Sequence, residues 1–240
     1  MFLFKSKKVV VDCFTSVEAL AREYPIKKSS HHVPEWWKQL ETTKHFPTNV
    51  GIDTPYGTMK SCSGFVHLFR NSWTVPLWSD FKVRTLSNGE FVYVTPSDLS
   101  TQTHTQETIA RHAPDQFKNA FGNYIHLKFM SPWLITEKSG VNFAMVSADW
   151  TVIDAIPDFR IPVGFLNFKV PSAPNINLFA PRKEHLYEID AGTPMVYLIP
   201  ITERKVEFKT HAVSEAEYLR YTTRTVFYNN KFLSGVFKWD

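Results

Sequence analysis

Between Met195 and Ile199 the chain runs Met-Val-Tyr-Leu-Ile without a polar residue, opened by Ala191-Gly192-Thr193-Pro194 and closed by Pro200. A short apolar run bounded by Gly and Pro predicts a strand buried on both faces. A few residues later Val206 and Phe208 alternate with Lys205, Glu207 and Lys209, the period of a strand with one buried face. Further strands are expected at 8–14, 73–78, 81–86, 91–95, 124–130, 133–136, 141–146, 163–168, 176–179 and 186–189. Asn88-Gly89 falls between 81–86 and 91–95 and predicts a tight hairpin, because both residues tolerate positive φ.

Helical signals are short and lie mostly towards the N-terminus. Thr15 with Glu18, and Ser214 with Glu217, have capping-box spacing, predicting helices to about Tyr24 and Tyr228. Pro25 closes the first. Pro34 sits where a first-turn proline opens Glu35–Leu40, and 63–71 places Phe65, Leu68 and Phe69 on one side. Residues 97–115 are polar and read as a long excursion, followed by a helical turn near 115–121. Many short strands with Pro and Gly punctuation predict a mainly β chain, a jelly roll or β-sandwich with a cupin-like variant included. It carries short N-terminal helices and a C-terminal helix. We read 1–240 as one domain: a helical portion over 1–72 packed on the sheet, a β-sandwich core over 73–212, and a helix and tail over 213–240.

Composition supports a core and narrows the partners. Phe contributes 20 residues, and aromatic side chains suit pleated, half-buried surfaces. The formal charge is +4, and the Lys5-Lys7-Lys8 and Lys27-Lys28 groups are too short for a basic stripe, so nucleic acid is not an expected partner. Cys13 and Cys62 are the two cysteines and read as free thiols. The apolar start, Met1 to Phe4, is cut short by lysines and does not resemble a secretion signal, so the chain is not expected to be secreted. No apolar run reaches membrane-spanning length.

The chemistry-bearing residues are scattered. None of the nine histidines forms the His-x-Asp or His-x-His pair of a jelly-roll metal site; adjacent His31 and His32 would point to opposite faces of a strand. No cofactor is therefore expected, with a divalent metal left open. His112 and Gln116 are four apart and share a face if their segment is helical, the bland alternative being local hydrogen bonds. Trp37, beside Trp36, and Trp133 read either as core residues or as a stacking surface. Asp80 reads as a turn residue and Arg204 as a local ion pair with Glu203, each also a possible pocket contact. Ser61-Cys62-Ser63-Gly64 is not a nucleophile elbow, and Cys62 with His67 is a weak thiol-nucleophile pattern against a structural cysteine. No phosphate loop or dinucleotide fingerprint is present. The candidate binding residues are Trp37, Asp80, His112, Gln116, Trp133 and Arg204, with no catalytic residue assigned.

Five phrases carry a resemblance when taken in order: Pro34-Glu35-Trp36-Trp37, Met59 to Phe65, Val75-Pro76-Leu77-Trp78-Ser79-Asp80, Lys128 to Trp133, and Gly192 to Lys209. Over roughly residues 20–215 the chain resembles a family, without an assigned activity, from tailed phages of marine bacteria and some bacterial genomes. The resemblance implies a phage-like origin and an all-β core. It departs from the pattern at Ser63, where relatives often carry proline.

Two functions follow as expectations. One is a non-catalytic binding or structural protein in the host cytoplasm or on a virion, contacting a protein partner or a second copy through the aromatic helical edge and the long loop. The other is a cupin- or jelly-roll-type enzyme, metal-dependent or not, with a small-molecule pocket near His112, Gln116, Trp133 and Asp80.

Overall fold

The computed structural model describes residues 8–46, 54–95, 108–118, 120–153 and 155–222. Its strands are β1 (Val9–Thr15), β2 (Lys27–Lys28), β3 (Thr43–Phe46), β4 (Thr54–Gly57), β5 (Trp73–Pro76), β6 (Phe81–Thr85), β7 (Phe91–Val94) and β8 (Ile109–Arg111). They continue as β9 (Tyr124–Phe129), β10 (Leu134–Glu137), β11 (Asn142–Ser147), β12 (Gly164–Asn167), β13 (Ile176–Pro181), β14 (His185–Ile189), β15 (Pro194–Pro200) and β16 (Val206–Ala212).

Four antiparallel pairs are nested along the chain. β5 with β15 encloses β6 with β14, which encloses β9 with β13, which encloses β11 with β12. That nesting is a long antiparallel ribbon, and β11 also pairs with β15, so the ribbon is rolled upon itself as in a jelly roll. The chain is thus mainly β, with several antiparallel sheets and a few short helices. β1 and β16 are joined in parallel, Val9 opposite Val206, with β10 antiparallel on the other side of β1.

One core links the sheets. Val11, Val75, Phe81, Leu127, Phe143, Leu178, Ile189 and Leu198 belong to a single buried cluster. Within it Phe81 and Phe129 stack at 5.1 Å; burying each such ring contributes roughly 1.5–3 kcal/mol of transfer free energy. Both faces of β15 are buried for different reasons. Val196 and Leu198 face this core, whereas Tyr197 and Ile199 pack against Phe65 and Phe69 of the helix Ser63–Asn71.

Local signals explain most boundaries. At Asn88-Gly89 the turn forms with Gly89 at φ +88°, and the Glu90 amide donates to Asn88 Oδ1 at 2.9 Å. Gly192, at φ +84°, donates to Leu77 O at 2.7 Å and leads into β15. The first helix begins later than its sequence pattern implies, spanning Glu18–Glu23. Thr15 Oγ1 accepts from the Val17 amide at 3.2 Å, so its hydroxyl is spent on a local turn two residues on and the capping box does not close. The Ser214 hydroxyl does cap, accepting from the Glu217 amide at 3.3 Å, and residues 215–222 are helical. The continuation to Tyr228, the polar stretch at 97–107 and the N-terminal residues 1–7 lie outside the described residues.

Strands β2, β3, β4 and β8 carry no apolar signal strong enough to be read from sequence. β2 is two lysines aligned by their ladder to Trp73 and Thr74. β3 and β4 pair at Thr43–Phe46 and Thr54–Gly57, with exposed positions along β4.

Candidate functional site

The alternation of β9 decides where chemistry can gather. Ile125, Leu127 and Phe129 are buried in the core, so Tyr124, His126 and Lys128 occupy the opposite face. On β13 the same rule buries Ile176, Leu178 and Ala180 and turns Asn177 and Phe179 outwards. The register places Phe179 opposite His126, and their rings lie 4.6 Å apart.

Over this face runs the segment after β8. The His112 amide donates to His126 O at 3.2 Å, and the two imidazoles stack at 4.5 Å with 28° between their planes. A 3-10 turn, Pro114–Phe117, follows. Gln116 Oε1 accepts from His112 Nδ1 at 2.9 Å and from the Ala113 amide at 3.1 Å. Because an amide oxygen only accepts, His112 Nδ1 is the donor in this bond. Phe117 lies 4.9 Å from His126, and Phe121 lies 5.0 Å from Phe179. Lys118 and Phe121 both adopt left-handed backbone, at φ 49° and 61°, a cost that persists where surrounding contacts fix the chain.

The result is a surface pocket of about 190 Å³ walled by His112, Phe117, Phe121, His126 and Phe179, with Arg111 and Arg182 at its sides. Both ring nitrogens of His126 are buried without a hydrogen-bond partner among the described residues. Burial first, and then the charge of His112, push its pKa down to about 4, with Asn177 acting in the opposite direction. His126 is therefore a neutral ring at ordinary pH. Arg111 is neutralised by Glu90 at 2.8 Å. Arg182 has no acidic side chain within ion-pair distance among the described residues, and its guanidinium lies 3.0 Å from where a Cβ on Gly89 would stand.

The other candidate residues are placed elsewhere. Trp133 is fully buried in the main core, outside this pocket, and its indole N–H has no partner among the described residues, as is also true of Trp78. Asp80 is exposed and its Oδ1 accepts from the Ala191 amide at 2.8 Å, bracing the turn before β15. Arg204 donates to Ser139 Oγ at 3.0 Å, and no ion pair joins it to Glu203 among the described residues. Trp37 stacks on Phe65 at 5.7 Å and donates from Nε1 to Met59 O at 3.1 Å. Trp36 is 43% exposed beside Trp150, 45% exposed, at 6.2 Å. Cys62 is exposed, Cys13 is buried, and both are free thiols. The His67 ring turns to Asn71 at 3.5 Å.

Sequence reasoning found His112 and Gln116 and missed His126, Phe117, Phe179 and Arg182. A usable signal was present: His126 occupies the polar position of an alternating strand, and alternation alone puts it outside the core. Among the described residues no group of three His, Cys, Asp or Glu side chains is gathered as a metal would require, and no helix is long and apolar enough to cross a membrane. No protein-family model matches the chain, and no curated protein matches it. What fold and site define is a class, a jelly-roll-type protein with a ring-lined pocket on its outer face.

Proposed function

We propose that this chain is a non-catalytic binding protein of phage-like origin, acting in the host cytoplasm or on a virion, and that its His112–His126 pocket holds a flat ring bearing an acid group. The observation that carries the reading is one cavity combining an aromatic box with an arginine that lacks an acidic partner among the described residues. An apolar cavity of about 150 Å³ holds a benzene ring, so 190 Å³ accommodates a ring and a small substituent. The neutral His126 presents a ring face and not a charge. Arg182 then supplies the bidentate partner for a carboxylate. Among the described residues the pocket wall includes no carboxylate and no Cys or Ser, which favours binding over the enzyme reading; Tyr124 and the two imidazoles are the ionisable groups described there besides the arginines.

Isothermal titration with benzoate, benzamide and toluene tests the reading. Benzoate is expected to bind tightest and to lose about tenfold in affinity in Arg182→Gln. Equal binding of all three, or none of benzoate, contradicts it.

The exposed aromatic edge favours a second contact. Trp36 and Trp150 lie together and present apolar surface outwards, as a docking face for a second copy would. Sedimentation of the wild-type chain and of Trp36→Ala reads it: a dimer lost in the variant supports a second copy, and a monomer in both contradicts it.

A further inference from the structure

We infer that the groove between β2 and β16 binds a compact, multiply charged oxyanion of the phosphate type. The groove encloses about 560 Å³ and is walled by Arg22, Lys27, Lys28 and Lys205, with Trp73 and Phe208 among its lining. Its one carboxylate among the described residues, Glu207, is paired with Lys8, and Arg22 is paired with its neighbour Glu23 at 2.7 Å. Lys27, Lys28 and Lys205 are left without an acidic partner among the described residues.

Lys28 is held in place before any ligand arrives. Its Nζ donates to Arg70 O at 2.6 Å and lies 3.9 Å from the Trp73 ring centre. An ammonium has three donors, so donors remain for an incoming oxygen. Burial first, and then the charge of Lys205, hold the Lys28 ammonium below its ordinary range. Like charges brought together in a partly desolvated groove are relieved by an anion between them.

The geometry also selects against a nucleic-acid strand. Strand binding without sequence preference relies on aromatic faces open to bases. Phe208 stacks on Trp73 at 4.7 Å and 20°, and two groups this close to one ring centre must occupy opposite faces. With Lys28 over the other face, Trp73 has no side free for a base. What the groove offers is charge and N–H donors, which suit a free phosphate or polyphosphate.

Titration of the full chain with inorganic tripolyphosphate, and separately with a short oligothymidylate, tests this. Saturable tripolyphosphate binding is expected by about 1 mM at low salt, weakened at least about tenfold in Lys205→Gln and in Lys28→Gln. Lys44→Gln, on β3 and outside the groove, is expected to bind as wild type. Lys205 is exposed and its side chain makes no ion pair among the described residues, so an unchanged melting temperature in that variant separates lost binding from lost fold. Absence of binding, wild-type affinity in Lys205→Gln, equal weakening in Lys44→Gln, or tighter binding of the oligothymidylate overturns the inference.

Discussion

His112 and His126 are joined twice: the backbone of one donates to the carbonyl of the other at 3.2 Å, and their rings stack at 4.5 Å. The ladder bond fixes the start of the segment that covers β9, and the stack fixes the wall of the pocket. His126 is thereby enclosed with two nitrogens unpaired among the described residues, a destabilising arrangement for a polar ring, and retaining it needs a reason beyond packing.

The first prediction concerns acid. His126 has a folded pKa of about 4, below its ordinary 6.5. The unfolded chain therefore binds more protons in between, and the stability contributed by the neutral ring is complete above about pH 6.5 and declines as pH falls towards 4. Discounted for the ring's partial exposure, the loss is about 1–2 kcal/mol. His126→Phe is expected to flatten this part of the pH profile and to be more stable than wild type at pH 5, as measured by urea unfolding at several pH values.

Glu137 should matter to the fold. It is 2% exposed and accepts from the amides of Ser139 at 2.6 Å and Val141 at 2.9 Å, as well as from the Ser139 hydroxyl. Burial alone would raise its pKa, but these hydrogen bonds outweigh it and hold the carboxyl below the usual range. Its contribution is present above the unfolded carboxylate pKa and is lost as pH falls through the lower folded value. Glu137→Ala orphans these donors and is expected to cost about 2–3 kcal/mol in denaturant unfolding at pH 7.

Gly89 connects stability with the pocket. At φ +88° an alanine is strained, and its Cβ would meet the Arg182 guanidinium at 3.0 Å. Gly89→Ala should cost about 1 kcal/mol and, by displacing Arg182, weaken benzoate binding. Unfolding and titration of the same variant check both effects.

Much of the fold was legible because the strongest signals were local. The apolar run at 195–199, the Asn-Gly turn and the alternation along β9 and β16 each specify a strand or turn from a few residues. β2 was not legible, because two adjacent lysines become a strand through pairing with Trp73 and Thr74, a relationship distant in sequence. The site divides in the same way. His112 and Gln116 stand four apart and could be associated by spacing, whereas His126, Phe179 and Arg182 join them through the β9–β13 register. Trp133 invited a binding role by its residue type, but core burial took it.

The central claim is that the His112–His126 pocket receives an acidic ring, and its most direct test is the ring-proton NMR signal of His126 during a benzoate titration at pH 7. A saturable ring-current shift at His126, abolished in Arg182→Gln, is the predicted result. A His126 signal that does not move up to about 10 mM benzoate, a range covering even weak millimolar binding, contradicts the account.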